Sequence, residues 1–384
     1  MKLASRLENV SEYYFAKKLA EISRMNSEGK NVINLGIGSP DLPPHESVIR
    51  TLNEESQKNN IHGYQGYRGI EPLRKSFAHF YKRKYGVELN HNEQILPLAG
   101  SKEGIVHICM TYCGPGDKVL VPNPGYPAYR AAALLAGAEC IEYKLRQGND
   151  WLPDIEELKS LDLAKVKLMW LNYPNMPTGR AADRKTFEML LEFAASSKIL
   201  LCHDNPYSMI LNENPVSILS IPGAIEHAVE LNSLSKSFNM AGWRVGALFG
   251  AKEHIDNVLR FKSNLDSGMF YAVQKAAAVA LELPDEWFAS LNETYRRRKK
   301  TGEDLFASLG CHIPKGQAGF FIWAGIPERE TGCYTFSDKI LAGANVFITP
   351  GGIFGSEGNR YVRLSLCTPE NLLIEAIERL KELK

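Results

Sequence analysis

The sequence predicts an α/β fold with a large and a small domain. The large domain is expected to hold a mostly parallel, seven-stranded sheet flanked by helices, and the two chain ends are expected to form the smaller α+β domain. Short apolar runs alternate with longer amphipathic stretches through the middle of the chain, and this pattern changes in the last third. Continuous apolar strands separated by helices are typical of a parallel sheet that is covered on both faces.

The apolar runs of the middle region are predicted to be buried strands. They are EQILPLAG (93–100), DKVLVPN (117–123), VKLMWLN (166–172), KILLCHD (198–204), HAVELNS (227–233) and WRVGALFG (243–250). Helices are predicted between most of them. Apolar residues recur at helical spacing over 101–112 and over 186–195.

The last third of the chain predicts a different arrangement. A long helical pattern that contains Trp287, Leu291 and Leu305 leads into two strands and a closing helix. The strands are GFFIWAG (319–325) and RYVRLSL (360–366), and the helix runs from Pro369 to Leu383. We therefore expect a large domain over 44–283 and a small domain that combines 1–43 with 284–384.

Charge and cysteine content exclude several classes of protein. The chain has 45 Lys and Arg against 44 Asp and Glu, a balance of +1, which removes the basic footprint of a nucleic-acid or membrane binder. Its seven cysteines are scattered and include no C-x-x-C pair, which favours reduced thiols over a metal site. The N-terminal segment is charged throughout, and no apolar run is long enough to cross a bilayer. We expect a cytoplasmic protein with no membrane or nucleic-acid partner.

Polar residues stand at the ends of three predicted strands. Asn172, Asp204 and Lys236 each come at or just after the end of an apolar run. Ligands of open α/β sheets bind beyond the carboxyl ends of the strands. Because burying an unpaired cation at such a position costs free energy, a functional role for Lys236 is a better interpretation than a solvated surface lysine. The sequence therefore predicts one shared pocket.

The same edge of the sheet is predicted to bind a phosphate. The turn AGSKEG leads into a helix that begins near Ser101, and the N–H groups of a helix start attract anions. Arg244 can grip a phosphate with two hydrogen bonds, and the hydroxyls of Ser233 and Ser235 add donors. The expected ligand is a phosphate monoester that also reacts with a lysine and pairs with an aspartate.

Pyridoxal 5′-phosphate meets these requirements. Its aldehyde forms an imine with a lysine, and its pyridine nitrogen is an electron sink only when a buried carboxylate, here Asp204, keeps it protonated. Asn175 and Tyr207 can donate to its phenolic oxygen. Tyr126 in NPGYPAY can stack on its ring.

Three motifs resemble those of the class I and II aminotransferases, which are fold type I pyridoxal-phosphate enzymes. NYPNMPTG, HDNPYS and SLSKSFNMAGWRVG are similar to the family's strongest motifs and occur in the family's order. INLGIGSPDLP, YQGYRGIEPLR, AGSKEG and YVRLSL also match, so the resemblance covers nearly the whole chain. It is closest to the branch that contains LL-diaminopimelate and aspartate aminotransferases.

The resemblance implies an aminotransferase that moves an amino group between an L-amino acid and a 2-oxo acid in two half-reactions. Lys236 would form the Schiff base with the cofactor, and Arg363 would clamp the substrate α-carboxylate, with the backbone of Gly38 nearby. Tyr64 would reach the phosphate of the neighbouring subunit. A homodimer with shared active sites is therefore expected.

The predicted site has three groups of residues. The catalytic residues are Lys236, Asp204 and Tyr207. The cofactor-binding residues are Ser101, Lys102, Tyr126, Asn175, Asp204, Tyr207, Ser233, Ser235, Lys236, Arg244 and Tyr64. The substrate-binding residues are Gly38, Asn175 and Arg363.

The chain departs from the family pattern at two places. The family often has Asn-Asn-Pro or a similar polar step where this chain has Asn175, Met176 and Pro177, and often a small residue where Pro206 stands. Both departures would reshape the pocket wall. Recognition of the substrate side chain is expected to involve loops such as EYYF, which begins at residue 12, and no second arginine clearly faces a distal carboxylate.

Other functions remain open on the motifs alone. A lyase that eliminates from a cysteine conjugate would share every motif, and a regulator that senses the cofactor would share the fold. GIGSPD (36–41) is a poor dinucleotide fingerprint because Asp41 replaces the third glycine. The S-x-x-K of a penicillin-recognising serine enzyme is present at Ser233, but its K-T-G partner falls in a basic helical stretch.

Overall fold

The computed structural model describes residues 4–7 and 14–382. Its helices are α1 (Tyr14–Ser27), α2 (Glu46–Ser56), α3 (Glu71–Tyr85), α4 (Ser101–Tyr112), α5 (Pro127–Leu135), α6 (Ile155–Ser160), α7 (Arg184–Ser197), α8 (Ala224–His227), α9 (Leu234–Ser237), α10 (Lys252–Lys262), α11 (Tyr271–Leu281), α12 (Asp285–Ser308), α13 (Cys333–Ala344) and α14 (Glu370–Lys381). Its strands are β1 (Ile33–Asn34), β2 (Ile95–Leu98), β3 (Lys118–Asn123), β4 (Glu139–Lys144), β5 (Val166–Asn172), β6 (Leu200–Asp204), β7 (Ala228–Ser233), β8 (Gly246–Phe249), β9 (Phe321–Gly325), β10 (Val346–Phe347), β11 (Thr349–Pro350) and β12 (Tyr361–Ser365).

A seven-stranded sheet lies at the centre of the fold, in the order β2-β8-β7-β6-β5-β3-β4. β8 runs antiparallel to the other six strands of this sheet, so the predicted mostly parallel, seven-stranded sheet is confirmed. Six of its strands fall within the predicted apolar runs. The remaining strand, β4, lies at the sheet edge with mostly exposed or half-buried residues, so it carries no continuous apolar signal.

The buried faces of the strands explain why they pair in the middle of the molecule. All residues of β2, β7 and β8 are buried, and so are all but one of β5. The helices between them cover both faces with apolar side chains, as Phe187 and Leu190 of α7 do. The cap of α7 is Asp183, which accepts a hydrogen bond from the backbone of Thr186 and sets where that helix begins.

The two ends of the chain meet in a second set of strands. β1 pairs in parallel with β10, and β11, β12 and β9 form an antiparallel sheet.

The domain boundaries given above, 1–43, 44–283 and 284–384, stay a prediction. The predicted end of the last helix at Leu383 lies outside the described residues. Over residues 4–7 and 14–382, each helix is too short or too polar to cross a membrane.

The register of the central sheet brings the polar strand ends together. Asn172 at the end of β5 is level with Asp204 at the end of β6. Asp204 is level with Leu231, two residues before Ser233 at the end of β7. Because these strands are parallel, their last residues share one edge of the sheet.

Candidate active site

A cavity of about 500 Å³ lies at this edge of the sheet. It brings together most of the residues that the sequence singles out. The predicted residues that line it are Gly38, Ser101, Lys102, Tyr126, Asp204, Tyr207, Ser233, Ser235, Lys236, Arg244 and Arg363.

Lys236 projects into the cavity from α9, the short helix that directly follows β7. Its Nζ donates a hydrogen bond to the backbone oxygen of Gly38 at 2.6 Å and lies 5.5 Å from the ring centre of Phe320. Burial lowers the pKa of Lys236 below its ordinary value of 10.5. A lysine with a lowered pKa has a larger neutral fraction, and the neutral amine is the nucleophilic and basic form.

Asp204 is buried at the end of β6, and its two carboxylate oxygens differ. Oδ2 accepts a hydrogen bond from the hydroxyl of Tyr129 at 2.9 Å. Oδ1 is buried and has no hydrogen-bond partner among the described residues. Burial raises the pKa of Asp204 to about 6, although the bond from Tyr129 lowers it. A buried carboxylate oxygen without a donor fits a ligand that brings its own N–H group.

Tyr129 is a site residue that the sequence analysis missed. It lies in the first turn of α5, three residues after Tyr126, and it is 1% exposed. Its ring stacks on Trp170 at 5.0 Å with an angle of 6° between the planes, which fixes the hydroxyl toward Asp204. Its position one helical turn after Tyr126 is the sequence feature that could have identified Tyr129 as a site residue.

An anion cup, formed by Gly100, Ser101, Ser233, Ser235 and Arg244, occupies one end of the cavity. The start of α4 has no side-chain cap, so its first N–H groups are available to a ligand. Gly100 has a φ of 90°, and a Cβ there would lie 2.1 Å from Nη2 of Arg244. Only glycine therefore allows the arginine to lie against the helix start.

Backbone carbonyls hold Arg244 in the anion cup. Its Nη1 donates to the backbone oxygen of Ala241 at 3.0 Å and to Oγ of Ser235 at 3.4 Å. Its Nη2 donates to the backbone oxygen of Ala99 at 3.4 Å. The guanidinium remains exposed toward the cavity, which suits a phosphate ligand.

A partly buried charged cluster supports the turn beneath the anion cup. Glu103 accepts a hydrogen bond from the backbone N–H of Ala99 and contacts Nε2 of His107 at 2.6 Å. The ammonium of Lys262 donates to Glu103 at 3.5 Å and to Asp266. Because Glu103 and Asp266 already surround the ammonium of Lys262, we interpret the cluster as a structural support for the turn.

Arg363 projects from β12 and is 4% exposed. Its Nη2 donates to the backbone oxygen of Gly36 at 2.7 Å, and its Nη1 lies 3.1 Å from Sδ of Met176. Arg360, its neighbour at the strand start, is exposed and donates to the backbone oxygens of Pro327 and Glu330 outside the cavity. Of these two arginines, Arg363 lines the cavity and Arg360 does not.

The structure does not bring Asn175 to the cavity wall. Its Oδ1 accepts hydrogen bonds from the backbone N–H and the hydroxyl of Thr178, at 3.2 and 2.8 Å. Asn172 and Met176 line the cavity instead, and Asn172 donates to the backbone oxygen of Asp204 at 2.7 Å. Asn175 is not among the residues that line the cavity, and the cofactor and substrate contacts predicted for it stay predictions.

Tyr64 also lies away from this cavity. It is 96% exposed and is not among the residues that line the cavity. The predicted contact with a neighbouring subunit stays a prediction. Of the EYYF segment, Glu12 and Tyr13 lie outside the described residues, and Phe15 lines the cavity.

The sequence and the fold match known proteins over nearly the whole chain. The sequence pattern of the family "Aminotransferase class I and II" matches residues 30–380. The LL-diaminopimelate aminotransferase of Moorella thermoacetica is 41% identical over 383 residues, which cover 99% of this chain and 98% of the relative. That of Dehalococcoides mccartyi is 39% identical over 382 residues, with the same coverage of 99% and 98%.

Solved structures agree with these relatives. The substrate-bound structure of BacF from Bacillus subtilis is similar with a TM-score of 0.95 at 36% identity, and the match covers 100% of this chain and 98% of that one. The predicted membership is thus confirmed, and the relatives named here favour an aminotransferase over a lyase. The chain belongs to the class I and II aminotransferase family and is an aminotransferase.

Proposed function

We propose that the chain holds pyridoxal 5′-phosphate in this cavity and moves an amino group between an L-amino acid and a 2-oxo acid. One observation carries the proposal: Lys236, Asp204 and the anion cup surround a single cavity of about 500 Å³. A lysine, a buried carboxylate and a set of phosphate donors are the groups that this cofactor requires.

The residues present fit the cofactor at three points. The anion cup would hold the phosphate with the N–H groups of α4, the serine hydroxyls and Arg244. Asp204 would accept the pyridine N–H with Oδ1, the buried oxygen that has no partner among the described residues. Lys236 would bond to the aldehyde carbon, while Tyr126 and Tyr207 would contact the ring and its phenolic oxygen.

When bound, the cofactor supplies an electron sink that stabilises negative charge on the substrate α-carbon. Once the substrate amine has replaced it on the aldehyde carbon, the freed amine of Lys236 would take the proton from the α-carbon and deliver it to the carbon that it had occupied, and water would then release the 2-oxo acid. The lowered pKa of Lys236 favours the neutral amine that this proton transfer requires. Arg363 holds the substrate α-carboxylate, and the backbone oxygen of Gly38 holds the lysine ammonium between transfers. Asp204 acts by its charge and needs no proton transfer of its own.

Spectra and product analysis test this proposal. The protein incubated with pyridoxal 5′-phosphate is expected to gain a protein-bound absorbance band and to convert more than one equivalent of an amino acid only when a 2-oxo acid is added. Lys236→Ala is expected to abolish both the band and turnover, whereas Lys75→Ala, at a lysine whose side chain is 58% exposed, should leave both unchanged. Release of pyruvate and ammonia without a 2-oxo acid would instead identify a lyase.

We also propose that the enzyme is a cytoplasmic homodimer in which Tyr64 completes the partner's site. The high exposure of Tyr64 in the single chain supports this proposal. Mixed dimers test it. When inactive Lys236→Ala and Tyr64→Ala proteins are refolded together, hybrid dimers should regain one intact site and part of the activity. No recovery, with mixed dimers present by mass, would contradict the shared site.

A further inference from the structure

We propose that Arg298 is a positioning residue for this reaction and that it acts through Asp41. Neither residue is among those that line the cavity. Together they hold the end of the segment 36–41, whose middle residues 37–39 do line it. This inference rests on the proposed function, because it concerns the geometry of the same cavity.

Arg298 belongs to the basic run RRRKK (296–300) of helix α12, but its side chain is buried and only 4% exposed. Its two terminal nitrogens donate to the two carboxylate oxygens of Asp41, at 2.7 and 2.8 Å. Its Nη1 also donates to the backbone oxygen of Leu366, directly after β12, at 2.9 Å. Because a two-point bond between guanidinium and carboxylate fixes both distance and orientation, the pair joins the segment firmly to α12.

The same segment makes hydrogen bonds to two cations of the site. The backbone oxygen of Gly36 accepts from Nη2 of Arg363 at 2.7 Å, and that of Gly38 accepts from Nζ of Lys236 at 2.6 Å. Asp41 follows Gly38 by three residues. The ion pair at Asp41 therefore limits where both backbone oxygens lie.

Tight packing carries the position of the segment to the substrate side of the cavity. A Cβ at Gly38 would lie 2.4 Å from Cζ of Phe321, and the ring centre of Phe321 lies 4.0 Å from the guanidinium carbon of Arg363. Loss of the bond to Asp41 would therefore misplace both Arg363 and the acceptor of Lys236. A misplacement of about 1 Å can lower a reaction rate by about a hundredfold.

Hydrogen exchange of the protein without cofactor tests the hold on the segment. In Arg298→Met, backbone amides over 36–42 should exchange at least about tenfold faster than in the parent protein. Asp41 is the more exposed partner, so Asp41→Ala makes the same test from the other side of the pair. In the matched control Arg297→Met, at the preceding arginine whose side chain is 53% exposed, exchange should stay within about threefold. Unchanged exchange in Arg298→Met and Asp41→Ala would overturn the inference.

Pyridoxamine 5′-phosphate separates this role from cofactor binding. It has no aldehyde, so its affinity reports on the anion cup and Asp204 without the bond to Lys236. In Arg298→Met this affinity, measured by fluorescence titration, should stay within about threefold of that of the parent. The specificity constant kcat/KM for any amino donor that the parent uses should fall at least about tenfold. An equal loss of affinity and of kcat/KM would indicate a general loss of structure and would overturn the positioning role.

A double-variant cycle tests whether the two residues act as one unit. Arg298→Met and Asp41→Ala should each lower kcat/KM at least about tenfold, and the double variant should stay within about threefold of the less active single variant. Losses that multiply would overturn the inference. If the parent converts no amino donor, the proposed function fails and hydrogen exchange decides whether the hold on the segment stands. If the parent transaminates and Arg298→Met keeps its kcat/KM, the proposed function stands and this inference fails.

Discussion

Replacement of Asp204 by asparagine should stabilise the protein without cofactor while it removes activity. Burial raises the pKa of this carboxyl from 3.8 to about 6, so the folded protein binds its proton more tightly than the unfolded chain does. The stability from this group is therefore fully present below pH 3.8 and is lost as the pH rises through about 6. At neutral pH the buried charge opposes folding.

The size of the effect follows from the two pKa values. At about 1.4 kcal/mol per pKa unit, the difference between 3.8 and about 6 corresponds to about 3 kcal/mol above pH 7. Asparagine has the shape of the acid but no charge, so Asp204→Asn should raise the free energy of unfolding by up to about that amount. The gain should shrink to below about 1 kcal/mol at pH 4, where this carboxyl is already about 40% protonated in the unfolded chain.

Urea unfolding of the protein without cofactor, measured between pH 4 and pH 8, checks this prediction. Glu230→Gln is a matched control, because Glu230 is also a buried carboxylate, 0% exposed, but one whose charge has hydrogen-bond partners. It accepts hydrogen bonds from Tyr81, Ser217 and the backbone of Ile218, and it contacts His203 at 2.8 Å. Removing that charge should destabilise the protein by several kcal/mol, about 3 or more. A pH-independent effect of Asp204→Asn, or a loss of stability at pH 8, would refute the reasoning.

Two further substitutions test the surroundings of the cofactor site. Tyr129→Phe removes the hydroxyl that donates a hydrogen bond to Oδ2 of Asp204, so the pKa of Asp204 should rise above 6 by about one unit or more. A carboxyl-carbon NMR titration of the protein without cofactor measures this pKa. An unchanged pKa would contradict the assigned contact. Gly100→Ala places a Cβ 2.1 Å from Nη2 of Arg244 and should weaken binding of pyridoxal 5′-phosphate at least about tenfold. Fluorescence titration measures this affinity. The control Gly148→Ala, where no atom lies within 4 Å of the added Cβ, should bind the cofactor normally. Normal binding by the Gly100 variant would contradict the anion cup.

Parallel pairing explains why much of the site could be predicted from the sequence. The runs that end at Asn172, Asp204 and Ser233 are apolar enough to be buried strands, and parallel strands bring their last residues to one edge. Lys236 lies shortly after the end of β7, and Arg244 lies just before the start of β8, which runs antiparallel to β7, so chain length keeps both residues near this edge. The side chains of these residues then limit the expected ligand to a phosphate monoester that reacts with a lysine and pairs with an aspartate.

Residues farther from a strand end depend on turns and packing that a sequence pattern does not specify. Asn175 and Met176 are adjacent, but the turn directs Met176 to the cavity and folds the amide oxygen of Asn175 onto Thr178. Tyr129 reaches Asp204 across 75 positions of sequence through the packing of α5 on the sheet. β4 escapes the apolar pattern because it forms an exposed edge.

The most direct test of the account is to locate the bond between protein and cofactor. The protein is incubated with pyridoxal 5′-phosphate, reduced with borohydride, digested and mapped by mass spectrometry. A phosphopyridoxyl group is expected on Lys236, and it should be lost in the Gly100→Ala protein at limiting cofactor concentration. Labelling of another lysine in place of Lys236, or no specific labelling, would contradict it.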